Sequence, residues 1–294
     1  MTIYAVTGAS GHLGRLTVQD LLARGVPGSD VVAVVRTWAK AADLAERGVQ
    51  VREADYSRPE TLRAALAGVE RLLLVSSSVT GQRVTHHSNV ILAAKAAGTS
   101  RVAYTSMLNA DSSTSPLAGE DRDTEQVLRE SEVPFTVLRN SYYTEGYTDQ
   151  LGQYLEAGEI VGAAGTGRIS AAPRRDYAAA AARALLADEG ANRTYELGGP
   201  AFDLSEFARV VTEVTGTRVS YRDLPAEEYA SWVQRCGRDQ ATAQFVAALD
   251  AAVARGDLET TSGDLPQLLK RPATALSEVV AAAYDAVLNA TSKE

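Results

Sequence analysis

Residues 2–16 read Thr2-Ile3-Tyr4-Ala5-Val6-Thr7-Gly8-Ala9-Ser10-Gly11-His12-Leu13-Gly14-Arg15-Leu16, an apolar strand pattern that runs straight into G-x-x-G-x-x-G and then a helical segment. Each glycine has a separate task in a dinucleotide cradle. Gly8 permits the tight turn off the strand, Gly11 lets a pyrophosphate approach the backbone, and Gly14 lets the helix pack close to the sheet. The helix start then offers free N–H groups to the phosphates. A glycine triplet alone is a weak signal, and its surroundings decide its meaning. Leu16, Val18, Leu21 and Leu22 share one helix face, and Val31-Val32-Ala33-Val34-Val35 is a continuous apolar run suited to a parallel strand covered on both sides. Together these predict a βαβ unit.

The end of that second strand bears on cofactor choice. NAD sites usually carry an acidic residue there for the ribose hydroxyl, and NADP sites carry a basic residue for the 2′-phosphate. This chain has Arg36, with Lys40 four residues on. NADP(H) is therefore expected, with NADPH preferred over NADH, Arg36 as the main contact and Lys40 as a helper. Trp38 either packs on the adenine side or seals the next helix.

The alternation of strands and helices continues. Strands are expected at 49–52, 71–75, 101–104 and 135–138, with helices at 39–47, 59–66, 83–97 and 119–130 between them. The fold class is α/β, a Rossmann-like doubly wound parallel sheet with a smaller α/β C-terminal substrate lobe. Residues 1–141 are assigned to the NADP-binding domain and 142–294 to the lobe, with segments interleaved. Ligands collect at the carboxyl ends of the strands. Those ends bring Asp55, Tyr56, Ser76, Ser77 and Ser78 to the cofactor, and Tyr104-Thr105-Ser106 and Asn140-Ser141-Tyr142-Tyr143 to the same edge. Farther on, Gly162 to Gly167 reads as a plain turn, and 204–215, 219–221, 226–234 and 276–288 as helix, short strand, helix and terminal helix.

Composition narrows the class. The 294 residues suffice for a substantial core. A formal charge of −8, without a Lys/Arg cluster, argues against nucleic acid. The one cysteine, Cys236, cannot form an internal disulfide, no apolar run approaches the roughly twenty residues of a membrane helix, and the chain opens on a core strand rather than a leader. A cytoplasmic protein is expected, free of membrane, with a small-molecule partner and possible homodimerisation. Three histidines and one distant cysteine offer no metal-ligand spacing, so no metal is assigned.

These motifs resemble the NmrA-like branch of the atypical short-chain dehydrogenase/reductases, and within it the bacterial NADPH:quinone oxidoreductases, with triphenylmethane dye reductases as cousins. The similarity covers nearly the whole chain. It rests on Thr7 to Gly14, Val34-Val35-Arg36, Ala54-Asp55-Tyr56, Leu74 to Ser78, Gly81-Gln82-Arg83, Ala94 to Gly98, Ala103 to Ser106, Leu138-Arg139-Asn140, Gly162 to Gly165 and Asp176 to Arg183. The resemblance implies cofactor contacts at Gly8, Ala9, Ser10, Gly11, His12, Leu13, Arg36, Ser76, Ser77, Ser78, Asn140, Ser141, Tyr142, Tyr143, Thr144, Glu145 and Arg174.

One departure bears on mechanism. Ketone reductases of the wider family pair a serine with Tyr-x-x-x-Lys. Ser106 sits where the serine belongs, but none of the twelve tyrosines has lysine four residues later, and the stretch expected to hold the pair reads Asp121-Arg122-Asp123-Thr124-Glu125. An alkoxide resembles hydroxide, with a conjugate acid near ~15.7, whereas a quinone yields a phenolate near ~10. The difference is on the order of 8 kcal/mol, much of what a dedicated acid would supply. Quinones and cationic dyes therefore fit a site without the relay. The expected reaction is hydride transfer from NADPH to a quinone held among Tyr104, Ser106, Tyr142 and Tyr143, with solvent supplying the proton. Tyr142 and Tyr143 either stack on the acceptor or anchor the lobe, and His86 and His87 either approach the site or serve the helix. Two other readings stand beside it: a dinucleotide-binding redox sensor without turnover, and a tailoring reductase for a larger aromatic metabolite.

Overall fold

The computed structural model describes residues 2–188 and 192–291. Strand β1 (Tyr4–Thr7) leads through the glycine turn into α1 (His12–Ala23), and β2 (Val31–Val35) lies parallel beside β1 with Tyr4 opposite Val31 and Thr7 opposite Val34. The run then alternates: α2 (Ala42–Glu46), β3 (Gln50–Glu53), α3 (Pro59–Ala65), β4 (Arg71–Leu74), α4 (Arg83–Ala96), β5 (Arg101–Met107), α5 (Ala118–Glu130) and β6 (Phe135–Asn140). Its strands form a parallel sheet in the order β3-β2-β1-β4-β5-β6, and β8 (Arg193–Leu197) adds a seventh strand beside β6. This is the doubly wound arrangement, and its order reverses between β1 and β4, where ligand crevices form.

Side-chain alternation sends β2 both ways. Val31, Ala33 and Val35 join one core with Leu21 of α1 and the alanines of α8 (Arg174–Leu186); Val32 and Val34 join the other with Leu62, Ile91 and Leu128 from α3, α4 and α5. All five β2 residues are buried, which accounts for the unbroken apolar run.

The smaller lobe is built on β7 (Glu159–Gly162) paired in parallel with β9 (Ser220–Asp223). Around it lie α6 (Glu145–Thr148), α7 (Leu151–Ala157), α9 (Leu204–Thr215), α10 (Ala226–Arg235), α11 (Gln240–Ala254) and α13 (Leu276–Thr291). Phe202 and Phe207 stack at its centre. The short helix α12 (Asp264–Leu269) returns to the large sheet and packs on α8 and β8.

Candidate functional site

At the switch point the glycine turn is sterically closed. Gly8 adopts φ +60°, and a Cβ on Gly14 would lie 2.5 Å from the Gly8 carbonyl oxygen, closer than real Cβ atoms come. The start of α1 therefore sits directly on the turn, with Gly11 as its N-cap. In front of it opens a cleft of about 410 Å3. The structure brings Gly8, Ser10, Gly11, His12, Leu13, Arg36, Lys40, Asp55, Tyr56, Ser76, Ser77 and Ser78 together as its lining, with His86 beside them. Ala9 is not among the lining: it is fully buried, and its N–H donates to the Val34 carbonyl at 3.2 Å, so it shapes the turn from beneath.

Fixed partners hold the walls. The Tyr56 hydroxyl donates toward Thr7 Oγ1 and the Val75 carbonyl, tying β1 to β4 at the crevice. Asp55 Oδ1 accepts the Ser57 N–H at 2.9 Å, which with its hydroxyl holds the carboxyl below its ordinary range; the Arg36 and Arg58 charges add to this. Arg36 and Lys40 are exposed at the mouth. Their loop is fastened by Arg15, which pairs with Asp43 at 2.5 Å and donates to the Lys40 carbonyl, and by Glu53, which accepts the Trp38 N–H. Trp38 is 47% exposed and stays outside the cleft lining.

The serine loop is anchored from behind. The Ser77 N–H donates to His87 Nε2 at 2.8 Å, so Nε2 carries no proton. Thr124 Oγ1 donates to the Glu120 carbonyl, leaving His87 Nδ1–H to donate to Thr124 at 2.9 Å. Burial, with Arg83 and His86 nearby, pushes the His87 imidazole down to about 3. His87 is thus a neutral strut for the loop, and His86 is the one that reaches the cleft.

At the end of β6 the expected residues divide. Asn140 is buried, and its Oδ1 has no hydrogen-bond partner among the described residues. Ser141 is buried and donates to the Leu258 carbonyl at 3.1 Å, and the buried Thr144 gives its N–H to Ala172 at 3.1 Å. Glu145 accepts the Arg174 N–H with both oxygens at 3.0 Å, and the Arg174 guanidinium lies over the Tyr143 ring, 5.3 Å from its centroid. Tyr143 also packs edge-on against Tyr177. None of these residues lines the glycine cleft; they form a second cluster, and Tyr142 turns from it into a separate cavity of about 680 Å3. That cavity lies among α6, α7, β7, α10 and α11, with Tyr147, Tyr154, Tyr229 and Trp232 in its walls.

Tyr104 and Ser106 need correction. Strand β5 runs to Met107, three residues past the expected end at Tyr104, so Tyr104 lies in its interior and Ser106 within the strand rather than beyond it. Tyr104 is fully buried and donates its hydroxyl to Asp121, which also pairs with Arg83 at 3.0 Å. Ser106 donates to Glu125 Oε1 at 2.6 Å, and Arg139 clamps that carboxylate through Nε and Nη2 at 2.8 and 2.7 Å. Neither residue lines either cavity. Asp121 and Glu125, four residues apart on α5, are thus both consumed in buried ion pairs where the wider family keeps its tyrosine and lysine. Among the described residues no group of three or more His, Cys, Asp or Glu is placed to hold a metal, and no helix is long and apolar enough to cross a membrane.

Residues 8–188 match the NAD(P)H-binding family, and the chain is 31% identical to an NmrA-like family domain-containing oxidoreductase of Aspergillus flavus, over 91% of this chain and 90% of that one. The chain belongs to the NmrA-like NAD(P)H-binding family. Within it, the chain is similar to quinone oxidoreductase 2 of Escherichia coli, at 43% identity over 94% of this chain and 96% of that one. The solved structure of an E. coli NADPH-dependent quinone oxidoreductase complexed with NADPH superposes with a TM-score of 0.93 at 42% identity, covering 96% of this chain and all of that one. A Citrobacter triphenylmethane reductase superposes at 0.91 with 36% identity, over 96% and 99% of the two chains.

A dinucleotide suits the NmrA-like site on this chain's own geometry. The Gly8–Gly14 contact leaves no room for side chains where a pyrophosphate must approach, cations stand at one end of the cleft, and Asn140 keeps an unused acceptor. Sequence reasoning missed Tyr229, Trp232 and Asp250, which line the second cavity from α10 and α11. Helix α11 went unread altogether, although Asp239 caps it by accepting the Thr242 N–H.

Proposed function

We propose that this chain is an NADPH-dependent oxidoreductase that passes a hydride to a quinone or a similarly conjugated acceptor. The observation that carries the reading is a pair of spaces: a glycine cleft at the large sheet ending in Arg36 and Lys40, and an aromatic cavity in the smaller lobe whose lining includes Tyr142, just past β6. NADPH, when bound, supplies the hydride. The α1 start and the turn hold its pyrophosphate, Arg36 and Lys40 hold the 2′-phosphate, and Asn140 Oδ1 accepts from the nicotinamide end. Tyr142 and its neighbours offer aromatic faces to a flat acceptor and keep water from it. Because the reduced acceptor is a phenolate, solvent suffices as the proton source.

The likeness to the E. coli quinone oxidoreductase supports both halves of this reading. The acidic charge and the single cysteine support a cytoplasmic location. The deciding experiment follows nicotinamide absorbance with NADPH or NADH and a 1,4-quinone, for the wild type and Arg36→Ala. Enzyme-dependent oxidation that favours NADPH, with KM for NADPH raised about tenfold in Arg36→Ala and little change for NADH, is expected. Tight NADPH binding without turnover of any quinone would favour the sensor instead.

A further inference from the structure

Two carboxylates line the aromatic cavity. Glu159 is engaged by Arg222 at 3.0 Å, whereas Asp250, on α11, makes no ion pair among the described residues. Asp250 Oδ2 is fixed: it accepts the Ala163 N–H at 2.8 Å, and a Cβ on Gly162 would lie 2.8 Å from the same oxygen. Among the described residues the only hydrogen bond to the Asp250 carboxyl is the one from Ala163, on Oδ2, which leaves Oδ1 open, and the hydroxyls of Tyr142, Tyr147, Tyr154 and Tyr229 are likewise without a partner there. The Trp232 ring stacks on Tyr229, with centroids 6.0 Å apart and planes 18° from parallel. A volume of about 680 Å3 falls within the range of pockets for drug-sized ligands and far exceeds the needs of a single ring.

We infer that this cavity selects a fused-ring acceptor carrying an N–H or O–H donor, which Asp250 Oδ1 accepts while the aromatic walls clasp the ring system. The inference rests on the reading of the cavity as the acceptor chamber. Burial raises the Asp250 carboxyl to about 6, Asp223 contributing in the same direction and the Ala163 N–H opposing it. As the carboxylate, Asp250 is an acceptor-only group. A bare quinone carbonyl sets lone pair against lone pair there, whereas a donor-bearing ring gains a charge-assisted hydrogen bond. Asp250 is thereby a specificity residue of the acceptor site.

The probes are 1,4-naphthoquinone and its 6-amino derivative, with NADPH, on the wild type and Asp250→Asn. With the wild type the amino derivative should show a KM about tenfold lower than the parent, the range of one hydrogen bond to a charged group. In Asp250→Asn the amide carbonyl stays on the Ala163 N–H and the amide N–H groups face the cavity. The preference should then invert in KM, with kcat changed only a few-fold. Quenching of Trp232 fluorescence in a Trp38→Phe background reads the same preference without turnover, and the wild-type comparison stands even if the variant folds poorly. Equal KM and equal quenching for the two probes on the wild type, or an unchanged preference in a folded Asp250→Asn, overturns the proposal. Turnover without preference defeats this inference and leaves the quinone reductase reading intact, whereas selective quenching without turnover does the reverse.

Discussion

Ser106 gives its hydroxyl to Glu125 at 2.6 Å, and that carboxylate belongs to Arg139. A serine so committed has no free proton to direct at a substrate. Ser106→Ala is therefore expected to keep kcat within about threefold of wild type while losing about 1 kcal/mol of stability, the value of an ordinary hydrogen bond. Glu125→Gln should cost more, about 3 kcal/mol, because it leaves Arg139 buried with one partner fewer. Chemical denaturation alongside steady-state rates checks both.

Tyr104→Phe makes a related test. Removing the hydroxyl takes a donor from Asp121, which burial pushes up to about 6 against the pull of Arg83 and Tyr104. A loss of about 2 kcal/mol in stability is expected, with kcat and both KM values near wild type. A hundredfold fall in kcat would return Tyr104 to the reacting centre.

Gly14→Ala addresses the cradle. The added methyl would meet the Gly8 carbonyl at 2.5 Å and Ala9 Cα at 3.0 Å, backbone atoms that give way only if the turn opens. An overpacking cost of about 1–3 kcal/mol is expected. NADPH affinity, measured by calorimetry, should fall at least tenfold while the far-UV spectrum keeps its shape.

His87 ties stability to acidity. Its folded pKa, about 3, lies below the unfolded value near 6.5, so its contribution is complete above pH 6.5 and drains away as pH falls toward 3. At pH 5 the loss amounts to about 2 kcal/mol. Asp121 and Asp250, both raised to about 6, work in the opposite direction below pH 6, so the comparison is made against His87→Gln, where they cancel. The wild type should lose more melting temperature between pH 7 and pH 5 than His87→Gln does. Equal slopes would mean that His87 is not held neutral.

How much of this was readable beforehand depended on whether the signal was local. The β1–α1–β2 unit announces itself because turn, helix start and buried strand are adjacent in the chain. Helix α9 was read to the residue, 204–215; Asp203 and Glu206 cap its start reciprocally and Gly216 ends it in the left-handed region. Strand β8 was missed, since Arg193 and Glu196 break its apolar pattern and its place beside β6 is set by distant partners such as Arg139. Tyr104 was expected at the very end of its strand and Ser106 just past it, but β5 runs three residues beyond the expected end, which draws Ser106 into the strand and leaves Tyr104 in its interior. The aromatic gathering around Tyr142 was visible, but Tyr229, Trp232 and Asp250 reach it from more than seventy residues away.

The position of β8 also bears on how the protein is made. The chain leaves the large sheet after β6, builds β7 and its neighbours, and only then returns with α8 and β8. A nascent chain emerging from the ribosome therefore carries a sheet with an open edge at β6 until the residues around 197 have cleared the exit tunnel. For that interval the unpaired edge is the point most exposed to wrong partners, and a chaperone acting on this protein would find its work there.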